Sequence, residues 1–310
     1  MIPAIAIAVD LGATNVRVAL VDNEGKIIRR LSEKTSRDGK RGRVVTDQII
    51  RLIRAFTSGI SKSRIRGIGI SSMGPLDLKR GGPYKSPNVP FTFIPLVDSL
   101  RKTFGLPVFL LNDANAGALA EHYFGKSRGK DNLVYITLST GIGAGAIVNG
   151  RLLLGRSGNA AELGHLIVDT AYNLPCTCGK GTGHWEGLAS GRNLPRFFAA
   201  WLQKTRQRSV APVRDARNIF DSARGGNRLA GSFLEELARV NARALSDIIV
   251  AYEPERIALG GSVALQNAPL IIPGIKKHID RYLRVPEISL TRFKDDVGLV
   301  GVAGAVLSNG

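Results

Sequence analysis

The sequence predicts an α/β protein made of two βββαβα-like halves, and three observations carry that prediction. A three-stranded meander occurs twice, each meander turns its first corner on glycine and threonine, and after each one the chain alternates helix with strand. Ala4 to Asp10, Asn15 to Asp22 and Lys26 to Lys34 are dominated by aliphatic and β-branched residues. Gly12-Ala13-Thr14 makes their first corner and Asp22-Asn23-Glu24-Gly25 their second. Apolar spacing then predicts a helix over Val44 to Ile60, a buried strand over Ile65 to Ser71, a helix around Pro95 to Phe104 and a strand over Val108 to Leu111. Leu133 to Ser139, Gly145 to Val148 and Arg151 to Leu154 repeat the meander, with Thr140-Gly141-Ile142-Gly143 at the first corner and Asn149-Gly150 as a hairpin signal. Helices near Asn193 to Thr205, Val213 to Ala223 and Leu229 to Tyr252 precede the strand Arg256 to Leu259. A further helix, the strand Ile288 to Arg292 and a short terminal helix complete the second half. Two such halves facing one another would leave a cleft between two glycine-lined corners, a place suited to a phosphorylated ligand. Arg206 to Arg228, rich in Arg, Gly, Asn and Ser, reads as a surface excursion.

The 310 residues carry 43 Lys and Arg against 25 Asp and Glu, a net charge of +18, with 44% hydrophobic residues. That apolar fraction excludes a disordered chain, and no run approaches the ~18 apolar residues of a membrane span. The apolar start Met1 to Val9 lacks a basic leader and reaches Asp10 too early for a signal peptide, so it reads as a strand. Cys176 and Cys178, the only cysteines, stand one residue apart and are poorly placed to bridge each other, which points to a cytosolic protein.

Two phosphate-binding readings fail on context. Gly141-Ile142-Gly143-Ala144-Gly145-Ala146 fits a loose dinucleotide pattern but leads into a hairpin, whereas that fingerprint must open a helix. Gly125-Lys126-Ser127 has Ala120 where a P-loop needs glycine. What remains is Asp10-Leu11-Gly12-Ala13-Thr14-Asn15 on one corner and Ser139-Thr140-Gly141-Ile142-Gly143 on the other. Each sets small residues and hydroxyls on a tight turn whose N–H groups can approach phosphate oxygens, and Asp10 can hold the hydrated Mg²⁺ of a nucleotide.

These motifs, with Gly74-Pro75-Leu76-Asp77, Ser86-Pro87-Asn88, Leu111-Asn112-Asp113-Ala114-Asn115-Ala116, Glu162-Leu163-Gly164-His165, Cys176-Thr177-Cys178-Gly179 and Leu259-Gly260-Gly261-Ser262-Val263, resemble in order the ROK sugar kinases of the actin-like ATPase superfamily. The resemblance covers nearly the whole chain. It implies two actin-like, ribonuclease H-like domains flanking a cleft, residues 1–112 with the terminal helix 298–310 forming the smaller and 113–297 the larger. It implies ATP-dependent phosphorylation of a hexose at the 6-hydroxyl, with glucose first and fructose, mannose, glucosamine or an N-acetylhexosamine as alternatives. Polyphosphate is an alternative donor. In that scheme Asp113 is the general base, and Gly74, Asn88, Asn112, Glu162, His165 and Glu186 contact the sugar. Gly12, Ala13, Thr14, Asn15, Thr140 and Gly141 cradle the phosphates, while Gly260 and Gly261 let the adenosine lie close to backbone.

The family's zinc is held by the His of Glu-x-Gly-His and three cysteines. Here one residue is inserted and His184 stands where the third cysteine belongs, so the resemblance implies His165, Cys176, Cys178 and His184 as a Cys₂His₂ set. Family regulators carry a helix-turn-helix domain ahead of the phosphate motif. Here that motif begins within ten residues of the start, so a sugar-responsive DNA-binding role is the remote alternative and no specific nucleic acid or membrane partner is expected. A homodimer is expected from the resemblance alone. Between Lys26 and Arg66 there are 13 basic and 3 acidic residues, a basic surface that could speed capture of a nucleotide without setting specificity.

Overall fold

A computed structural model describes residues 4–87, 89–208 and 213–308. It has the predicted mixed α/β architecture, with twelve strands and nine α-helices among the described residues. The chain divides into two compact units. One comprises Met1–Lys130, Gly150–Ala160 and Arg292–Gly310, the other Asp131–Asn149 and Ala161–Thr291.

The first unit begins with the meander β1 (Ile5–Leu11), β2 (Asn15–Asp22) and β3 (Ile27–Lys34), followed by α1 (Arg43–Thr57) and β4 (Ile65–Ser72). A small hairpin, β5 (Leu76–Asp77) and β6 (Gly82–Pro83), precedes α2 (Val97–Phe104), β7 (Val108–Asn112) and α3 (Asp113–Tyr123). The second unit holds β8 (Leu133–Leu138) and β9 (Ile142–Val148). Arg151–Leu152 forms β10, and α4 (Trp185–Ala189), α5 (Leu194–Thr205), α6 (Ala216–Arg224) and α7 (Arg228–Tyr252) follow. After them come β11 (Arg256–Gly260), α8 (Ser262–His278) and β12 (Glu287–Leu290), and α9 (Val297–Leu307) returns to the first unit. The sheet orders are β3-β2-β1-β4-β7 and β10-β9-β8-β11-β12, so the predicted repeat appears as two sheets of matching connectivity.

In the first sheet, alternation along β1 decides the packing. Ile5, Ile7 and Val9 join Ile49, Leu52, Ile53 and Phe56 of α1 and Leu100 of α2 in one buried cluster. The intervening Ala6 and Ala8 join Leu299, Val302, Ala303 and Val306 of α9 and Ala116 of α3 in another. Bulky residues fill one face, and alanines let helices approach the other closely.

Two boundaries differ from expectation. The first domain was expected to end at residue 112, whereas the first unit runs on through α3, which packs against α9. Gly143 and Gly145, read as corner and strand start, both lie inside β9, opposite Thr137 and Tyr135. Tyr135, opposite Gly145, is buried, and its hydroxyl lies close to Gly260.

Candidate active site

In the first unit the C-terminal ends of β1, β4 and β7 lie side by side. Asp10, Ser71 and Leu111 share one register row, Leu11, Ser72 and Asn112 the next, and Asp113 follows as the first residue of α3. Ligands gather at this edge in open sheets of parallel strands. Asn112 is the N-cap of α3, its side chain accepting the Asn115 N–H at 2.7 Å. Asp113 is exposed, and its Oδ1 accepts the N–H of Ala114 at 2.8 Å.

Asp10 is held from the neighbouring strand. Arg17, its register partner on β2, donates Nε at 3.1 Å and Nη2 at 2.7 Å to Oδ2. Oδ1 takes no hydrogen bond among the described residues and remains for a hydrated cation, so the carboxylate fits the Mg²⁺ expected there. The adjoining corner is tight: Gly12 N donates to Asn15 O at 3.0 Å, and the Thr35 hydroxyl braces Gly12 O at 2.8 Å. The amides of Ala13 and Thr14 find no partner among the described residues, and Thr14 and Asn15 are exposed. Gly74, joined to Pro75 by a cis peptide, stands in open space. Asn88 lies outside the described residues.

In the second unit the matching corner, Ser139 to Gly141, closes through Ser139 N to Gly141 O at 2.9 Å and leaves the amides of Thr140 and Gly141 without a partner among the described residues. It is tied to the segment after α4, where Gly191 N donates to Ser139 O at 2.7 Å and Arg192 N to Thr140 O at 3.3 Å. Glu186, in the first turn of α4, also reaches it, accepting the Ile142 N–H on Oε2 at 2.9 Å and the Thr177 hydroxyl on Oε1 at 3.1 Å. Glu162 precedes the short 3₁₀ turn Leu163–His165, which His165 ends. Protein packed around Glu162 pushes its carboxyl above the usual carboxylate range although the residue keeps an exposed edge. His165 opposes that rise and Glu186 adds to it, which places the three groups within one electrostatic neighbourhood.

The four expected metal ligands converge. His165 Nδ1 lies 3.9 Å from Cys176 Sγ and His184 Nδ1 lies 3.6 Å from Cys178 Sγ; all four ligand atoms fall within 4.8 Å of one another. Tetrahedral zinc with Zn–S of about 2.3 Å and Zn–N of about 2.05 Å requires S···N edges of about 3.6 Å. The set therefore fits zinc, and both cysteines are free thiols. The inserted residue is absorbed in a turn, Cys176 N donating to Gly181 O at 2.8 Å, and the bridge between Ile167 and His184 fixes the far side. Burial pushes the Cys176 thiol up, and burial followed by the neighbouring His165 pulls His184 down.

A cavity of about 720 Å³ opens beside Thr140, lined among others by Arg192, Arg217, Phe220, Ser262, Gln266 and Asn267. Gly260 and Gly261 are also required by the packing around them. A Cβ on Gly260 would meet the Tyr135 hydroxyl at 2.2 Å, and one on Gly261, where φ is +83°, would meet Leu138 O at 2.4 Å. The protein's own packing demands these glycines, and Ser262 after them lines the cavity.

Sequence reasoning missed Arg17, Thr177, Arg192 and Arg217. Only Arg17 had a readable signal, since a hairpin turning at residues 12–14 sets positions 10 and 17 opposite.

The profile of the ROK family matches residues 6–308. The chain belongs to the ROK family. Its two α/β units are accordingly the actin-like fold expected. A glucokinase of Aeropyrum pernix is 34% identical to it, the match covering 98% of this chain and 97% of that protein. A ROK hexokinase structure from Thermus thermophilus superposes with a TM-score of 0.83 at 30% identity, covering 99% of this chain and all of that one. The structure of a ROK family glucokinase from Streptomyces griseus, in complex with glucose and AMPPNP, gives 0.75 at 31% identity over 99% of this chain and 100% of its own.

Proposed function

We propose that this ROK protein transfers the γ-phosphoryl group of ATP to the 6-hydroxyl of a hexose, glucose before others, with Asp113 as the general base. The observation that carries this reading is the division of labour at the start of α3. A lone Asn-Asp before a helix ordinarily gives the aspartate a capping role, but here Asn112 is the cap. The Asp113 carboxylate stays exposed at the edge where Asp10 also emerges. Its acceptor oxygen takes the proton as the sugar O6–H bond breaks. O6 then attacks the γ-phosphorus in line, the new O6–P bond forms, and the bond to the β-phosphate oxygen breaks to release ADP.

Asn112, Gly74, Asn88, Glu162, His165 and Glu186 are taken as the groups that orient the sugar. A substrate lacking one hydroxyl leaves such a group unpaired, at a cost of about 1–3 kcal/mol. The amides of Ala13 and Thr14, and those of Thr140 and Gly141, receive the phosphates, and the cavity lined by Ser262 and Phe220 receives the nucleoside. Mg²⁺, when bound, neutralises phosphate charge, and Asp10 would hold it through water. Zinc would be held by His165, Cys176, Cys178 and His184, pinning the loop that carries His165 and Glu186. The glucokinase relatives and the solved glucose complex support the choice of sugar. A coupled assay of ADP release across glucose, mannose, fructose, glucosamine and N-acetylated hexosamines tests the reading. The highest kcat/KM is expected for glucose, and no sugar-dependent ADP release with any of them refutes it.

A further inference from the structure

Glu186 holds two positions that conflict. As a sugar contact its carboxylate should be free for hydroxyl donors. Instead Oε2 takes the N–H of Ile142 at 2.9 Å and Oε1 takes the Thr177 hydroxyl at 3.1 Å. Ile142 follows directly on Thr140 and Gly141, whose amides have no partner among the described residues, so the carboxylate terminates a row of three N–H groups suited to an anion. The approach is close enough that a Cβ on Gly141 would lie 2.7 Å from Oε2. A negative group fixed on a phosphate corner occupies part of the anion's place and repels what must bind there. The corner and the Glu186 segment are also joined mechanically, through Gly191 N to Ser139 O and Arg192 N to Thr140 O.

We infer that Glu186 is a resident anion that couples sugar binding to phosphate binding. This rests on the reading of the chain as a sugar kinase whose 139–143 corner receives donor phosphates. Without sugar, Glu186 sits on Ile142 N and holds off the γ-phosphate. Sugar hydroxyls, donating to Oε1 and Oε2, draw the carboxylate away and release the Ile142 N–H to the donor. Sugar then tightens donor binding, and the same arrangement restrains hydrolysis of ATP by water when no sugar is present. Glu186 is thus a positioning residue for the donor as well as a contact for the acceptor.

The probe is Mg·AMPPNP, its affinity measured by calorimetry with and without xylose, which offers the ring hydroxyls but no 6-hydroxymethyl. In the unmodified protein xylose should tighten AMPPNP by about fivefold or more. Glu186→Gln keeps an oxygen that can accept from Ile142 N but removes the charge. It should bind AMPPNP without sugar about fivefold more tightly, shrink the xylose effect below about twofold and raise sugar-independent ATP hydrolysis. Thr177→Val, which cuts only the outer tie to Oε1, should shift the same quantities in the same direction by less, and it carries the test if Glu186→Gln does not fold. Unchanged sugar-free AMPPNP affinity in a folded variant, or a wild-type protein in which xylose has no effect while glucose is phosphorylated, overturns the inference and leaves the kinase reading standing. Absence of sugar phosphorylation removes both.

Discussion

Arg17 grips Asp10 from directly across the first hairpin, Nη2 at 2.7 Å and Nε at 3.1 Å from the same oxygen, and its Nη1 lies 3.7 Å from Asp296. Asp296 in turn accepts Nη1 of Arg30 on β3 on both oxygens, at 2.7 and 2.9 Å. The carboxylate proposed to steady the hydrated cation is therefore the inner end of a chain of alternating charges. With the arginine on Oδ2, only Oδ1 remains to face the ligand.

Arg17→Ala should consequently lower kcat by about tenfold or more, because a carboxylate free to swing by ~1 Å misplaces what it holds. KM for the sugar should change little. Arg17→Lys, which cannot reproduce the forked contact, should recover only part of the loss. Titrating Mg²⁺ in steady-state assays checks this, since a purely structural role would lower stability without altering the Mg²⁺ dependence.

The Cys₂His₂ cluster predicts about one zinc per chain in protein purified without added metal, with loss of the metal and a lower Tm after chelation. Mass spectrometric metal analysis decides the matter: less than about 0.2 zinc per chain contradicts the assignment. Cys178→Ser should release the metal as well.

Arg192 and Arg217 are exposed on the cavity beside Thr140, with no side-chain partner among the described residues. Replacing both by alanine should raise KM for ATP several-fold and flatten its dependence on salt, since exposed cations capture a polyanion chiefly through screened attraction. KM for the sugar is the internal control.

The contact of α3 with α9 leaves no room for a methyl group. A Cβ on Gly301 would sit 1.7 Å from the backbone oxygen of Ala116, which cannot rotate away. Gly301→Ala should cost roughly 3 kcal/mol, a fall in Tm of about 5 °C or more, measurable by calorimetry.

Much of this was legible in the sequence because alternation and turn chemistry act locally. Ile5, Ile7 and Val9 against Ala6 and Ala8 announce a strand buried on both faces, and Asn149-Gly150 announces its hairpin. What was illegible depends on distant partners. Gly143 looked like a corner residue and Gly145 like a strand start, because nothing nearby in sequence shows that both pair with β8, opposite Thr137 and Tyr135. Helix α3 was placed in the second domain from the resemblance alone; it lies in the first unit, packed against α9 nearly two hundred residues on. Among site residues, the ligand set at the cysteines could be carried over from resemblance. The engagement of Glu186 with Ile142 could not, being a contact between segments far apart in the chain.

The central claim is that Asp113 removes the proton from the sugar hydroxyl, and the direct measurement is the turnover of Asp113→Asn in a coupled assay of ADP release with saturating glucose and Mg·ATP. The substitution keeps the shape of the side chain and removes its basicity. A fall in kcat of about 10²-fold or more, with the variant folded and glucose still bound, is the predicted result. Retention of more than about a tenth of wild-type turnover would contradict the account.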